Sequence, residues 1–281
     1  MTLIYCIRIC VLDLRMIDRG ELMDIRILCL GDVVGSRSCE YLQKTLPRLR
    51  SSLSLDAIIA NGENSADGNG ITPISAEQLF ASGVDIITGG NHTVRRKNAS
   101  DLLEERTDIT RPYNLCNYDS GRGTAYLDLG RCSVSVINLC GTVYMEGASS
   151  AFDAADKALD EVKSNGSKII LVDIHAEATS EKVALGLYLD GRVSAVFGTH
   201  THVPTADLTV LPGGTGYVTD LGMCGPELSV LGIDKDIIIG RFKGNTDHRF
   251  RVSENKTVIQ GCIFAIDSVT GKCISAERIT V

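Results

Sequence analysis

Residues 195–203, Ala-Val-Phe-Gly-Thr-His-Thr-His-Val, place two histidines one residue apart directly after a short apolar run. The run predicts a buried strand. Because side chains alternate along a strand, His200 and His202 are predicted to point the same way from its end. Two imidazoles on one side of a rigid element are good ligands for a transition metal. An isolated pair of this kind is more often a surface or packing feature, so the rest of the chain decides its meaning.

Polar side chains that can bind a metal also follow four other predicted strands, which cover residues 25–30, 57–60, 84–88 and 169–174. The complete set at the five strand ends is Asp32, Glu63, Asn64, Asn91, His175, His200 and His202. Each residue alone has an ordinary explanation: Asp32 and Asn91 as turn residues or helix caps, Glu63 as an exposed charge, His175 as a core histidine. The same property at five successive strand ends is not expected by chance, and it predicts one shared site.

The segments between these strands have the periodicity of amphipathic helices. Ser38 is predicted to cap a helix that runs to about Leu53, and Ser75 to cap one that ends near Ser82. Further helices are predicted over residues 151–163 and from about Thr179. Strands that alternate with helices predict an α/β fold with a parallel sheet, in which ligands bind at the carboxyl ends of the strands.

The rest of the chain is predicted to be mostly β structure. A hairpin is predicted over residues 125–138, and later strands over residues 216–220, 249–252, 258–266 and 273–281. No internal repeat or linker divides the sequence, so a single domain is predicted over residues 23–281.

Composition limits the classes of function. The 281 residues are 44% hydrophobic and 22% charged, which is typical of a globular protein. The net charge is −7 and Lys and Arg form no dense block, which argues against a long nucleic-acid groove but allows a small phosphorylated substrate held by metals. No apolar run has the length of a membrane span. Ten scattered cysteines without a Cys-x-x-Cys motif indicate a reducing cytoplasm.

Residues 1–22 differ from the rest of the chain. Arg8, Asp13 and Arg15 interrupt the apolar run, and no basic region precedes it, so this stretch is not a signal peptide. Met23 stands immediately before the first predicted strand. Residues 1–22 are therefore predicted to be a non-native or disordered extension.

The predicted site has the chemistry of a two-metal centre. Carboxylates can bridge two ions, amide oxygens suit harder metals, and imidazoles suit Mn, Fe or Zn. Seven ligands are too many for one ion and about right for two, and paired metals are the usual apparatus for displacement at phosphorus. His92, beside Asn91, is predicted to be the general acid that protonates the leaving oxygen. His248 does not follow any of the five strands that carry these residues and is predicted to be a surface residue.

These residues carry a resemblance to a known family. In their order they resemble the calcineurin-like metallophosphoesterase superfamily: Gly31-Asp32, Asn61-Gly62-Glu63-Asn64, Gly90-Asn91-His92, His175 and Gly198-Thr199-His200-Thr201-His202. The longer sequence motifs at residues 31–35, 173–182 and 198–203 are similar to those of its bacterial YmdB-type branch. The resemblance extends from about Asp24 to the C-terminus. It implies a four-layer α/β/β/α sandwich and phosphodiesterase activity on 2′,3′- or 3′,5′-cyclic nucleotides.

The resemblance also implies a role for each residue. Asp32 would bind one metal and Glu63 would bridge both. Asn64 and His202 would complete the first site, whereas Asn91, His175 and His200 would form the second. Iron or manganese is expected, and zinc is compatible with the ligands. A homo-oligomer is expected from the branch.

The chain departs from the family pattern at two places. Val34 replaces the histidine of the superfamily's Asp-x-His motif, which suits the narrower branch. After Gly-Asn-His-Thr the branch commonly has Trp-Asp, but this chain has Val94-Arg95-Arg96-Lys97, which adds three cations that could meet a phosphate. Residues near the motifs could support the imidazoles (Thr201, Thr205, Asp207 and Glu177) or reach substrate (Arg111 and Asn114), although Glu177 could equally cap a helix and Arg111 and Asn114 could form a structural turn.

The sequence thus predicts a cytoplasmic, metal-dependent phosphodiesterase in which a metal-activated hydroxide attacks phosphorus and His92 protonates the departing ribose oxygen. Two alternatives remain. A metal-dependent amidohydrolase also uses His-x-His, but usually on the first strand of a barrel, whereas here the pair comes late. A non-catalytic regulatory protein could instead bind a cyclic nucleotide and signal through partners.

Overall fold

The computed structural model describes residues 24–67, 69–96, 98–116, 118–245 and 249–281. The predicted extension over residues 1–22 and the predicted surface residue His248 lie outside the described residues, as does Lys97.

Strands and helices alternate along most of the chain, as predicted. The strands are β1 (Asp24–Leu30), β2 (Asp32–Val33), β3 (Ala57–Asn61), β4 (Ile86–Thr88), β5 (Thr124–Asp128), β6 (Ser133–Cys140), β7 (Ile169–His175), β8 (Ala195–Thr199), β9 (Thr209–Val210), β10 (Gly216–Val218), β11 (Met223–Pro226), β12 (Thr257–Val258), β13 (Gln260–Asp267) and β14 (Cys273–Thr280). The helices are α1 (Gly35–Ser52), α2 (Pro73–Ala81), α3 (Ala99–Glu105), α4 (Ala151–Ser164), α5 (Thr179–Tyr188) and α6 (Lys235–Phe242), with a 3₁₀ turn at Thr93–Arg95.

The strands form two large sheets and one small one. The first large sheet has the order β14-β13-β1-β3-β4, and the second has the order β5-β6-β7-β8-β10-β9. Strands β1, β3 and β4 are parallel, and so are β6, β7, β8 and β10. Strand β2 pairs with β11 in a three-stranded sheet that also contains β12. The carboxyl ends of each parallel set therefore lie together at one edge of its sheet.

Three separate cores show that the molecule has four layers. Leu42 and Leu46 of α1 pack against the outer face of the first sheet. Phe197 and Phe264 are stacked between the two sheets with ring centroids 6.5 Å apart. On the far side, α4 and α5 cover the outer face of the second sheet through residues such as Leu159. The order of layers is helices, sheet, sheet, helices, which confirms the predicted four-layer α/β/β/α sandwich.

Strand β1 illustrates why the central strands are mostly apolar on both faces. Ile25, Ile27 and Cys29 point into the core between the sheets, whereas Leu28 and Leu30 point into the core under the helices. Because both faces of the strand are covered, both sets of alternate positions must be apolar. The same double burial applies to β7, in which every residue is buried.

Two helix starts differ from the sequence prediction. Helix α1 begins at Gly35 rather than at Ser38, whose hydroxyl instead donates to the Val34 carbonyl at 2.6 Å within the first turn. The Asp67 carboxylate satisfies the exposed Ser36 N–H at 3.0 Å, so a cap distant in sequence replaces a local one. Helix α2 is capped by Thr72, and Ser75 is the third helical residue of the same capping box.

The C-terminal part differs from the prediction in two places. Residues 249–252 were predicted to be a strand, but within the described residues they make only a single bridge, between Val252 and Ile233. Helix α6 was not predicted, because its eight residues are fewer than the window over which a helical period can be recognised; none of them is buried. Among the described residues, no helix combines the length and apolar character needed to cross a membrane.

The core between the sheets is expected to contribute strongly to stability. Replacing Phe264, which is fully buried, with Ala should lower the free energy of unfolding by about 3–5 kcal/mol, because the lost contacts leave a cavity between two rigid sheets. The control is Phe242→Ala in α6, where the ring is 89% exposed and the change should be within about 0.5 kcal/mol. Urea unfolding followed by circular dichroism measures both, and equal losses in the two variants would contradict the assignment of this core.

Candidate metal centre

The predicted site residues come together where the carboxyl ends of the two sheets meet. The first sheet brings Asp32, Glu63, Asn64 and Asn91, which follow β1, β3 and β4, and the second brings His175, His200 and His202, which end or follow β7 and β8. Every one of the seven has a polar atom within 3.5 Å of another member of the set. The structure therefore assembles the whole set that the strand ends predicted.

One half of the cluster is formed by Asp32, Asn64 and His202. His202 Nε2 lies 3.5 Å from Asp32 Oδ1 and 3.4 Å from Asn64 Nδ2. The Asp32 and Asn64 side chains are buried, and the His202 side chain is 9% exposed. These three side chains offer two oxygen ligands and one nitrogen ligand at one point of the cleft.

The other half is formed by Asn91, His175 and His200. His175 Nε2 lies 3.2 Å from Asn91 Oδ1 and 3.0 Å from His200 Nδ1. The carboxylate of Glu63 lies between the halves, with Oε1 3.2 Å from His175 Nε2 and 2.8 Å from Asn64 Nδ2. Ligand atoms of Glu63, His175 and His200 all lie within 4.8 Å of one another, which is a spacing that one ion could join.

Two buried oxygens lack the partners that buried polar atoms normally have. Asp32 Oδ1 and Asn64 Oδ1 accept no hydrogen bond from the described residues. Leaving such an atom unsatisfied costs roughly 1–3 kcal/mol, and more for a charged group. Both atoms belong to the predicted metal ligands. A bound cation would satisfy them, and the mixed oxygen and nitrogen donors suit Mn, Fe or Zn.

The electrostatics of the site also favour a cation. Although burial opposes ionisation of the carboxyl groups, the nearby imidazoles hold the pKa of Glu63 well below its usual value and also lower that of Asp32. Burial likewise opposes protonation of His175, but the carboxylates of Glu63, Asp32 and Asp173 raise its pKa to about 9. The site thus concentrates the negative charge of Glu63, Asp32 and Asp173 around the imidazoles, and the same field would attract a metal.

The two histidines of the His200-Thr201-His202 motif do not lie on the strand. Strand β8 ends at Thr199, and His200 and His202 follow it with φ values of 92° and 60°. The sequence argument from alternation along a strand was therefore wrong in its geometry, although both imidazoles reach the cluster. Left-handed backbone in a residue other than glycine costs roughly 1–3 kcal/mol and has to be held in place by its surroundings.

Hydrogen bonds hold this strained loop. The His200 N–H donates to Asp32 Oδ2 at 3.0 Å, and His202 Nδ1 lies 3.2 Å from the Leu231 carbonyl, which leaves Nε2 directed at Asp32. The Thr201 hydroxyl donates to Asp220 Oδ2 at 2.7 Å. Asp220 in turn forms a buried ion pair with Lys182 at 2.8 Å.

A glycine is required in the loop after β4, where the backbone passes close to Glu63 and His175. A methyl group at Gly90 would lie 2.3 Å from both Glu63 Oε2 and His175 Nε2. No side chain fits there without displacing these two residues. Gly90 therefore lets the loop after β4 bring Asn91 directly against the cluster.

A polar network behind His175 was not predicted from the sequence. The buried Asp173 carboxylate accepts hydrogen bonds from Thr199 Oγ1 at 2.7 Å, Asn61 Nδ2 at 3.0 Å and Thr88 Oγ1. Burial raises the pKa of Asp173 to about 6. His175 and these hydrogen-bond donors act in the opposite direction, because they stabilise the ionised carboxylate. The signal in the sequence was a carboxylate in the middle of an otherwise apolar strand, which needs partners to be tolerated.

This network fixes which nitrogen of His175 faces the cluster. The single hydroxyl proton of Thr199 is donated to Asp173, so its oxygen can only accept from His175 Nδ1 at 2.9 Å. Nδ1 therefore carries a proton, and Nε2 is the nitrogen presented to Glu63 and Asn91. Outer hydrogen bonds of this kind orient metal-binding imidazoles.

His92 lies beside the cluster rather than within it. Its N–H donates to Glu63 Oε2 at 3.0 Å, and its ring contacts, to Glu63 Oε1 at 3.4 Å and to Asn69 Nδ2 at 3.5 Å, are both made by Nδ1. The side chain is 28% exposed and lines the cleft, unlike the buried His175.

The neighbouring residues divide into several groups. Glu177 Oε2 lies 3.1 Å from His200 Nε2, so this residue contacts an imidazole directly. Thr205 and Asp207 bond to each other at 2.6 Å and support the Asp220 segment, not an imidazole. The side chains of Arg111 and Asn114 donate to backbone carbonyls of their own turn and of neighbouring segments. Both residues therefore stabilise the turn, as the structural interpretation of them predicts.

The cluster opens into a cleft of about 900 Å³. Val34, at the position where the superfamily has a histidine, forms part of its wall together with Arg95 and Phe250. Arg96, one of the three additional cations, points elsewhere: its guanidinium donates to the carbonyls of Asn69, at 2.9 Å, and Asp67. It therefore holds the loop that carries Asn69.

Comparison with known proteins gives consistent matches along nearly the whole chain. Residues 28–279 match the model of the family described as YmdB-like protein. The chain is 43% identical over 257 residues to the 2′,3′-cyclic-nucleotide 2′-phosphodiesterase of Bacillus subtilis (strain 168), with 92% of this chain and 97% of that protein covered.

Two solved structures have the same fold at a TM-score of 0.85. One is a hypothetical protein from Thermus thermophilus, at 36% identity with 92% of this chain and 99% of that chain covered. The other is described as a novel phosphatase from Mycoplasma pneumoniae, at 34% identity with 92% and 93% covered.

The network behind His175 can be tested through stability. Thr199→Val keeps the shape of the side chain but leaves His175 Nδ1 without an acceptor and Asp173 with one donor fewer, so the free energy of unfolding should fall by about 1–3 kcal/mol. The matched control is Thr124→Val, where the lost hydrogen bond to Glu161 is exposed and the change should stay within about 0.5 kcal/mol. Urea unfolding of metal-free protein provides the measurement, and an unchanged midpoint for Thr199→Val would rule out this role.

Proposed function

This chain belongs to the YmdB-like protein family, and we propose that it is a dinuclear-metal-dependent phosphodiesterase acting on cyclic nucleotides. The observation that carries the proposal is the cluster itself. Seven potential ligands from two sheets converge, two of them buried carboxylates, and two of their buried oxygens accept no hydrogen bond from the described residues.

The contacts support a division of the ligands into two sites. Asp32, Asn64 and His202 would hold one ion; Asn91, His175 and His200 would hold the second. Glu63 would bridge the two, because its carboxylate contacts both Asn64 and His175. Iron or manganese suits this mixed set best, and zinc is also compatible with it.

Bound ions would supply an activated water nucleophile and neutralise charge that develops on the phosphoryl oxygens. The chain's own contribution is to hold its ligands rigidly. Thr199 orients His175, and the Leu231 carbonyl orients His202, so that each presents Nε2 to the cluster. The buried position of Glu63 and Asp32 excludes bulk water from the negative side of the site.

His92 would be the proton donor to the leaving oxygen. Its Nδ1 is engaged by Glu63 and Asn69, so Nε2 is the nitrogen that would carry the transferable proton into the cleft. A group with this task has to be close to the metals without binding them. The position of His92 beside Glu63 meets that requirement.

We propose a 2′,3′-cyclic nucleotide as the substrate in preference to a 3′,5′-cyclic nucleotide. The support is the relative from Bacillus subtilis, which is named as a 2′,3′-cyclic-nucleotide 2′-phosphodiesterase. A cleft of about 900 Å³ gives ample room for one nucleotide. We place the reaction in the cytoplasm, in agreement with the composition of the chain.

The amidohydrolase alternative is not supported by the fold, because the sheets form a layered sandwich and the first strand leads to Asp32 rather than to a histidine pair. A regulatory protein that only binds a cyclic nucleotide would keep the cleft but would not need His92. The role of His92 therefore separates catalysis from binding.

His92→Ala should keep about two metal equivalents but lower kcat for a 2′,3′-cyclic nucleotide by about 10²–10⁴-fold, the usual contribution of a general acid. The same variant should lose far less activity on bis(p-nitrophenyl) phosphate, because nitrophenolate leaves readily without protonation. Steady-state kinetics and metal analysis of the same preparations measure these quantities.

Equal losses on both substrates would assign His92 a structural role, and unchanged turnover of the cyclic nucleotide would remove it from the mechanism. Absence of turnover by the native chain on either substrate at saturating metal would favour the binding protein.

A further inference from the structure

Arg95 follows His92 by three residues, and both side chains line the cleft. The two residues span the 3₁₀ turn at Thr93–Arg95, in which the Arg95 N–H donates to the His92 carbonyl at 3.0 Å. Side chains three residues apart in such a turn eclipse one another. Both side chains line the same cavity. The turn therefore directs Arg95 to the same side of the cleft wall as the imidazole proposed to protonate the leaving group.

The Arg95 guanidinium has no partner among the residues that the structure describes. Within the described parts of the chain its side chain makes no hydrogen bond or ion pair, and it is exposed to the cleft. The neighbouring Arg96 is bound to backbone carbonyls, and Arg251, which also lines the cleft, pairs with Asp234 at 3.2 Å. Arg95 is therefore available to bind an anion.

Among the described residues, Arg95 forms no ion pair with any of the four carboxylates of the cleft wall, which belong to Glu63, Asp67, Glu177 and Glu254. Asp67 accepts hydrogen bonds from the N–H and hydroxyl of Ser36, and Glu177 contacts His200. Arg37 is the other guanidinium of the wall without a partner among the described residues, but it lies in the first turn of α1 and shares no turn with His92. Because Arg95 shares a turn with His92, it is better placed than Arg37 to bind the group that His92 would protonate.

We propose that Arg95 binds the non-bridging oxygens of the substrate's phosphodiester next to His92, and so determines the affinity for anionic phosphoryl groups. This inference rests on the proposed function, whose substrate carries one negative charge at phosphorus. A guanidinium offers a planar pair of N–H donors that matches two phosphoryl oxygens. The contact strengthens as charge develops on those oxygens during attack.

The test compares Arg95→Ala and Arg95→Lys with the native chain, all loaded with Mn²⁺. For a 2′,3′-cyclic nucleotide, kcat/KM of Arg95→Ala should fall by about 10–100-fold, as expected for a lost charged hydrogen bond. Arg95→Lys should recover part of the loss, because it restores the charge without the bidentate geometry. Metal content should stay at the native value in both variants.

Arg48→Ala provides the matched control, because Arg48 is exposed on α1 away from the cleft and its replacement changes the net charge equally. It should stay within about twofold of the native chain. A kcat/KM of Arg95→Ala within twofold of the native value would overturn the proposal. So would an equal fall in Arg48→Ala, or a larger fall in Arg37→Ala.

A binding measurement separates this proposal from the proposed function. Calorimetric titration of inorganic phosphate into the Mn²⁺-loaded protein should give a dissociation constant about tenfold or more higher for Arg95→Ala than for the native chain. If the native chain does not hydrolyse cyclic nucleotides but the phosphate affinity still falls, the proposed function fails and the anion site stands. If phosphate affinity is equal in the two proteins, or if the native chain binds no phosphate, the assignment of Arg95 is overturned.

Discussion

The buried carboxylate of Glu63 is the group on which the geometry of the site depends. It is 1% exposed, and a charge in such a position costs several kcal/mol unless it is paired and hydrogen-bonded. The chain meets this requirement with groups from both sheets: Asn64 and the His92 backbone from the first and His175 from the second. The ends of β3 and β7 must therefore come together, and a glycine at position 90 lets the loop after β4 pass close to Glu63 and His175.

The strand ends predicted the ligands because parallel sheets place them at one edge. A continuous apolar run followed by a polar residue is a strong signal when it recurs, and the structure assembles all seven residues that this signal selected. The four-layer architecture, by contrast, came from the resemblance to a family, because periodicity alone cannot show which face of a buried strand meets the second sheet. Strand β1, which is apolar on both faces, shows why.

What the sequence did not reveal depends on contacts between distant segments. Asp173 supports His175 through Thr199, and Asp67 caps α1 across about thirty residues. Local sequence patterns do not predict contacts between residues so far apart in the chain. The left-handed conformations of His200 and His202 are held by Asp32 and Leu231, and local propensity argues against them. Helix α6 was missed for a local reason, since its eight residues are fewer than the window over which a helical period can be recognised.

The central claim is that Glu63 joins two metal sites, and anomalous diffraction tests it most directly. A crystal of the full chain grown or soaked with saturating Mn²⁺ should show two anomalous peaks about 3.5–4 Å apart. One should lie among Asp32, Asn64 and His202, the other among Asn91, His175 and His200, with the Glu63 carboxylate between them. A single peak, or peaks that do not share Glu63, under metal-saturating conditions would contradict the account.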